Sequence, residues 1–373
     1  MSSDGVRHLY VHLPYCASRC GYCDFVTLVG HRGEHERYAD ALLAELELER
    51  DLLAQRVETV FLGGGTPTFT DGPALERLLA DVPAADEVTV EANPETVTPE
   101  LADALRRGGV SRVSLGAQTF EPRLLQVLER RAQPDDVRRA FYRLRDAGFD
   151  NISLDLVYGI PGQEPSDVAR DLGEALALGP EHLSCYELEA KPGTRFTHAH
   201  GEELARQAES MEGYFELVVD TLTAAGYRWY ETANFCRDGR RSRHNLACWL
   251  GRDYLGLGIG AVSTVVGSRW RNAPSLRGYL GALGAGERPP RELEPLPETT
   301  RIQERLMLAL RLDEPVSFAE VEAAVDHDAL ARLQGLRLVE RRGDELLLTR
   351  RGRFLGGGVT AALLAEIPAN QYN

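Results

Sequence analysis

Three cysteines fall within eight residues, Cys16-Ala-Ser-Arg-Cys20-Gly-Tyr-Cys23. Thiolates at this spacing can wrap one loop around three irons of a cubane [4Fe–4S] cluster and leave the fourth iron open. An open iron can chelate the amino and carboxylate groups of S-adenosylmethionine, and an electron from the reduced cluster can then cleave its carbon–sulfur bond. The competing chemistry is a zinc site completed by His12 or His31, since zinc also takes Cys/His sets. Structural zinc sites usually pair CxxC units across a longer gap, so the spacing favours the cluster. Six cysteines in a long acidic chain make a poor disulfide framework, and clustered cysteine points to metal or catalysis in a reducing compartment.

Other polar residues recur where short apolar runs end. The turn Gly63-Gly64-Gly65-Thr66-Pro67 follows VETVFLG, and residues without a Cβ let a ligand lie against the main chain, although such a turn also serves simply to reverse the chain. Glu91 closes DEVTVEA and Asp155 lies late in DNISLDLVYG; both can accept from ribose hydroxyls or an ammonium group. Gln118, just after VSRVSLGA, and Arg130 can bind a carboxylate. The bland alternative for all four is capping or structural ion pairing.

The elements that carry these residues alternate. RHLYVHL, VETVFLG, DEVTVEA, VSRVSLGA, DNISLDLVYG and EHLSCYEL are β-rich, and amphipathic helical stretches such as HERYADALLAELELERDLLAQ lie between them. Six such alternations imply a parallel sheet, open or rolled into a partial barrel, with chemistry at the C-terminal ends of the strands. The cysteines, the glycine turn, Glu91, Gln118 and Asp155 all fall at that end, which predicts one site on one rim.

After residue 190 the pattern changes. Lys191-Pro192-Gly193 reads as a break, one helix is expected over Leu204 to Ala225, YRWYETANF reads as a strand, and RHNLACW follows an Arg/Gly loop outside a regular helix pattern. From about Pro297, the helix TRIQERLMLALRL, two shorter helical stretches and the hairpin LVERRGDELLLT suggest a winged-helix-like module. The expected division is 1–190, 191–296 and 297–373.

Composition narrows the class. At 373 residues with 43% hydrophobic and 27% charged content, the chain can build a barrel-sized unit plus an appendage. A net charge of −15 argues against nucleic acid as principal partner, the exception being arginines Arg337, Arg341, Arg342, Arg350, Arg351 and Arg353 near the C-terminus. The N-terminal segment lacks the flank of a secretory signal and no apolar run reaches membrane-spanning length, so a cytoplasmic location is expected. Peripheral membrane contact and a homodimer are compatible with this reading.

The runs YVHLPYCASRCGYCDF, GGGTPT, VEANPET, SLGAQTF, LDLVYGIPGQ and YETANF…SRHNLACW resemble the coproporphyrinogen III dehydrogenase-like radical SAM proteins, and among them the HemW-type haem chaperones. The resemblance implies a partial (β/α)6 barrel of the TIM type with a C-terminal extension and a small winged-helix-like domain that closes over it. It implies that Cys16, Cys20 and Cys23 ligate a [4Fe–4S] cluster, that Tyr22 lies beside the adenine of S-adenosylmethionine, and that Tyr10, Gly64, Gly65, Thr66, Glu91, Gln118, Arg130, Asp155 and Val262 contact that cofactor. The dehydrogenase carries a fourth cysteine two residues after the third, where this chain has Asp24-Phe25. It also has a long N-terminal extension that is not seen here. Both differences favour a haem chaperone delivering haem to recipient haem proteins over an enzyme of porphyrin biosynthesis that decarboxylates coproporphyrinogen III. A radical methyltransferase is a further alternative.

In the chaperone branch an HNxxYW motif supplies a proposed haem ligand, and this chain reads His244-Asn245-Leu246-Ala247-Cys248-Trp249. The resemblance therefore implies haem near RHNLACW with His244 as axial ligand; by residue type, Cys248 is an alternative thiolate, Trp249 can face the porphyrin, and Arg240, Arg241 and Arg243 can neutralise its propionates. Without it, His244 reads as a hydrogen-bonding residue and Cys248 as a small buried one. Replacing Cys16, Cys20 or Cys23 singly by Ala should abolish the iron–sulfur absorption after anaerobic reconstitution, because each thiolate holds a different iron. Stoichiometric zinc without sulfide in wild-type protein would overturn the cluster.

Overall fold

The computed structural model describes residues 5–191 and 195–365, so Pro192-Gly193 of the expected chain break lies outside the described residues. The six β-rich runs form β1 (His8–Leu13), β2 (Val57–Gly64), β3 (Ala85–Ala92), β4 (Arg112–Gln118), β5 (Ile152–Tyr158) and β6 (His182–Glu187), each parallel to the next. The crossovers hold α1 (His35–Leu48), α2 (Gly72–Asp81), α3 (Pro99–Arg107), α4 (Pro134–Asp146) and α5 (Pro165–Leu178). Proline in the first turn sets the start of the last four. Reciprocal capping boxes, Gln133 with Asp136 and Glu164 with Asp167, satisfy free N–H groups at α4 and α5.

Alternation along the strands sorts the chain by polarity. Leu9, Val11, Leu13, Val60, Leu62, Val88, Val90, Val113, Leu115, Ile152 and Leu154 join one apolar core with residues of the helices. The residues between them include buried His8, Thr59, Glu87, Thr89, Arg112, Ser114, Ser153, His182 and Ser184. The inner face is thus polar and hydrogen-bonded, and the outer face packs under the helices.

Later segments extend the same sheet. YRWYETANF is a hairpin rather than one strand: β7 (Arg228–Glu231) and β8 (Asn234–Cys236) are antiparallel, and the Glu231 carboxylate accepts from the Ala233 amide at 2.9 Å in the turn. β8 runs antiparallel to β6, and β9 (Leu255–Leu257) parallel to β1. The order β9-β1-β2-β3-β4-β5-β6-β8-β7 leaves the barrel open between its two ends. β10 (Val262–Val265), β11 (Ser268–Asn272) and β12 (Arg291–Pro295) form a separate antiparallel sheet.

Two expectations for this stretch need correction. The single helix over Leu204 to Ala225 is two, α6 (Arg195–Gln207) and α7 (Met211–Ala224), with a 3-10 turn at Ala208–Ser210. The break follows from anchoring: Gln207 Nε2 donates to the Ile160 and Gln163 carbonyls, and the Tyr214 hydroxyl donates to Gln163, so both helices are pinned to the β5–α5 loop. RHNLACW is itself a helix, α8 (Arg243–Trp249). Ser242 caps it, and the two oxygens of buried Glu87 accept from the Arg243 and His244 amides at 3.1 Å each. A carboxylate at a helix N-terminus meets both its free donors and its dipole, and that tertiary cap makes so short a helix persist.

The C-terminal residues have their own core. α9 (Glu298–Ala309), the short helix Phe318–Val321 and the helix His327–Gly335 pack on β13 (Val316–Ser317), β14 (Val339–Arg342) and β15 (Glu345–Leu348), with Gly343 at positive φ in the β14–β15 turn. These three helices with the hairpin wing match the expected winged-helix-like form, and two further helices, Arg350–Phe354 and Gly356–Leu363, complete the unit. Leu346 is fully buried there. Leu346→Ala should cost about 3 kcal/mol, read as a lower urea midpoint; an unchanged midpoint would mean that this core contributes nothing to the observed transition.

Candidate functional site

The strand ends open into a cavity of about 1110 Å³. Its barrel-side wall contains Cys16, Cys20, Tyr22, Cys23, Gly64, Gly65, Thr66, Glu91, Gln118, Arg130 and Asp155, so the structure brings most of the sequence-derived candidates to one place. All six cysteines are free. Cys16 lies in a two-residue parallel pairing with Leu28–Val29, and the Cys23 amide closes on the Cys20 carbonyl at 3.2 Å, which shapes the loop. Burial pushes the Cys16 and Cys23 thiols up.

A chain of hydrogen bonds joins the thiols to the strand ends. Arg130 Nη1 donates to Cys20 Sγ at 3.6 Å, and Arg130 Nη2 donates to Asn93 Oδ1 at 2.8 Å and the Gly116 carbonyl at 3.1 Å. Asn93 Nδ2 donates to Thr66 Oγ1 at 3.0 Å, and Thr66 Oγ1 lies 3.4 Å from Cys16 Sγ. Burial opposes the charge on Arg130, and the neighbouring Tyr22 and Cys20 groups outweigh it and hold its pKa up. Asn93, just after a β-rich run in the sequence, joins the candidates through these bonds.

The glycines serve the chain's own packing as well as the cavity. Gly64 has φ +111°, and a Cβ there would lie 2.4 Å from the His12 ring; one on Gly65 would lie 2.5 Å from the Pro14 carbonyl carbon. Gln118 also has positive φ, 65°, where the β4–β5 ladder shifts register. Both positions, at the ends of β2 and β4, take a backbone conformation outside that of a regular strand.

Two carboxyls face the polar interior. Glu91 Oε2 accepts from the Gly64 amide at 3.1 Å, and Asp155 accepts from Ser114 at 3.0 Å and from Ser153 at 3.3 Å. Burial, then the proximity of Asp155, pushes Glu91 up to about 7, and burial raises Asp155 against the pull of Arg112. Glu91 can therefore hold or release a proton near neutrality, and both carboxyls can receive cationic or hydroxyl donors.

The cysteine wall suits a cluster better than a single zinc ion. His12, one proposed zinc ligand, has both ring nitrogens engaged, by the Tyr10 hydroxyl at 3.0 Å and the Val26 carbonyl at 2.9 Å; His31 lies exposed in a left-handed turn. Three separate thiols with a guanidinium beside one of them fit the distributed negative charge of a [4Fe–4S] cluster.

Other candidates lie elsewhere. Tyr10 stacks on Phe61 behind the cavity, and Val262 is half-buried in β10. His244 and Cys248 are not among the lining residues. His244 is buried, its Nδ1 is 2.8 Å from Thr59 Oγ1, its ring lies against Phe61, and burial lowers its pKa to about 3. The same burial pushes Cys248 up to about 11. Position i and i+4 of a helix share a face: His244 and Cys248 form one row, and Asn245 and Trp249 form the adjacent row that does line the cavity. The expectation that His244 faces a cleft is therefore corrected for this conformation, because Glu87 and Thr59 seat the helix with that residue inward. The arginines Arg240, Arg241 and Arg243 pair with Asp150, Glu314 and Asp86, away from the cavity lining.

Residues 10–175 match the radical SAM superfamily, and residues 296–355 match the HemN C-terminal domain. A solved structure of coproporphyrinogen III oxidase (HemN) from Escherichia coli, a radical SAM enzyme, superposes with a TM-score of 0.79 over 96% of this chain and 90% of that one at 22% identity, which establishes a common fold. Barrel, cysteine loop and these matches define a radical SAM protein, a class that carries a [4Fe–4S] cluster and S-adenosylmethionine. Heme chaperone HemW of Mycobacterium tuberculosis is 37% identical over 369 residues, spanning 95% of this chain and 94% of the relative, and heme chaperone HemW of Bacillus subtilis is 33% identical over 97% and 100%. The chain belongs to the HemW family.

The raised pKa of Glu91 has a consequence for stability. Between its ordinary value of 4.5 and about 7 the folded chain holds a proton that the unfolded chain releases, so stability is lost as pH rises through that window. Glu91→Gln should remove this slope from the cluster-free protein, an effect of about 3 kcal/mol at most. Urea midpoints measured anaerobically from pH 4.5 to 8 test it; parallel profiles for the two proteins would refute it.

Proposed function

We propose that this chain is a cytoplasmic haem chaperone that binds haem, carries its cluster and S-adenosylmethionine in the barrel, and passes haem to recipient haem proteins. The observation that carries this reading is end-to-end similarity to relatives described as heme chaperones. In it Cys16, Cys20 and Cys23 ligate the cluster. Tyr22, Gly64, Gly65, Thr66, Glu91, Gln118, Arg130 and Asp155, which share the wall with those thiols, contact S-adenosylmethionine. When bound, these groups supply one-electron cleavage of a carbon–sulfur bond. The chain's own part is to hold thiolates beside Arg130, to offer Glu91 and Asp155 to donors of the cofactor, and to keep the interior hydrogen-bonded. Axial ligation by His244 would require α8 to leave its seat on Glu87 and Thr59.

No helix of the described residues is long and apolar enough to cross a membrane. The second reading, decarboxylation of coproporphyrinogen III, is favoured by the shared fold with HemN. Against it stands Asp24-Phe25, with Phe25 lining the cavity and 66% exposed. After anaerobic reconstitution, haem should bind saturably and coproporphyrinogen III under reducing conditions should remain intact. Mass spectrometry showing loss of two carboxyl groups would move the function to the dehydrogenase.

A further inference from the structure

One wall of the cavity is built from α7, α8 and the C-terminal module, and it combines aromatic surface with unmet donors. Phe215, Trp229 and Phe354 form a mutual cluster, with ring centroids 5.3–5.6 Å apart. The Arg353 guanidinium carbon lies 3.6 Å from the Trp229 ring centroid, and Arg353 Nη1 donates to the Trp229 carbonyl at 2.9 Å. Its Nη2 is buried and, among the described residues, has no hydrogen-bond partner; the same holds for the indole Nε1 of Trp249. Both residues line the cavity. Arg311 lies over the Trp249 ring at 4.4 Å and pairs with Glu231, so a second guanidinium borders the same region.

A guanidinium stripped of water and lacking a carboxylate partner is costly, and desolvation pulls Arg353 down to about 10. A donor of this kind is satisfied by an anion that arrives with its own apolar body, and the cavity, at about 1110 Å³, exceeds the roughly 300–1,000 Å³ of ordinary small-molecule sites. We propose that this wall is the carboxylate-binding subsite for a tetrapyrrole dianion, with Arg353 and the Trp249 indole N–H receiving propionate oxygens and Phe215 and Phe354 covering the ring. The proposal rests on the reading of haem as cargo and supplies the recognition that Arg240, Arg241 and Arg243, each already paired, do not offer.

The test uses the anaerobically reconstituted full chain, titrated with haem and, separately, with haem dimethyl ester, whose propionates carry no charge, while the Soret band is followed. Wild type should prefer haem. Arg353→Gln should weaken haem about tenfold or more and leave the ester unchanged, as expected for loss of a charge-assisted hydrogen bond. Trp249→Phe, which keeps an aromatic ring and removes only the N–H, should show the same pattern to a smaller degree and guards against a folding defect at Arg353. Equal losses for both ligands, or none, would overturn the subsite while leaving haem binding in place. Absence of saturable haem binding by wild type would overturn the haem reading and the subsite with it.

Discussion

A single buried guanidinium ties the rim together. Arg130 reaches Cys20 with one nitrogen and Asn93 and the end of β4 with the other, and Asn93 continues through Thr66 to Cys16. Four chain segments far apart in sequence thereby share one hydrogen-bonded path. A charge taken out of water persists only where several acceptors surround it, so each segment is held in place by the same requirement. The fork geometry of Arg matters because it bonds a soft sulfur and two oxygens at once; Lys presents a point charge and would not span them.

The polar interior obeys the same rule over a longer distance. Arg112 is almost wholly buried, bonds His182 at 3.3 Å and pulls on Asp155 and Glu91, while Ser114 and Ser153 bond Asp155 and Tyr230 bonds His182; its Nε has no hydrogen-bond partner among the described residues. Apolar packing is exported to the outer face, where helices cover it. The barrel can therefore remain open at its seam and still present a polar, charge-balanced interior to whatever occupies it.

Local pattern carried much of this information. Six strand–helix alternations, their polar ends and the cysteine spacing sufficed to expect one rim, because a parallel sheet places every strand's end on the same side. What was not legible depended on partners remote in sequence. The helical state of RHNLACW depends on Glu87, 157 residues before His244, and the break between α6 and α7 depends on carbonyls of the β5–α5 loop. The direction of His244 follows from helical phase, which has no meaning for a segment expected outside a helix. The donors of Arg353 and Trp249 could not be read as unmet until the fold showed who stood beside them.

The triple-glycine turn bears on how such chains diverge. Gly64 leaves room for the His12 ring, Gly65 for the Pro14 backbone, and Gly63 for Phe61 and Glu91. These neighbours belong to the barrel itself and are present whatever the cavity holds. A descendant that lost its cofactor would still be held to this signature by packing, so the turn alone in a paralogue would mark the scaffold and leave its chemistry undecided.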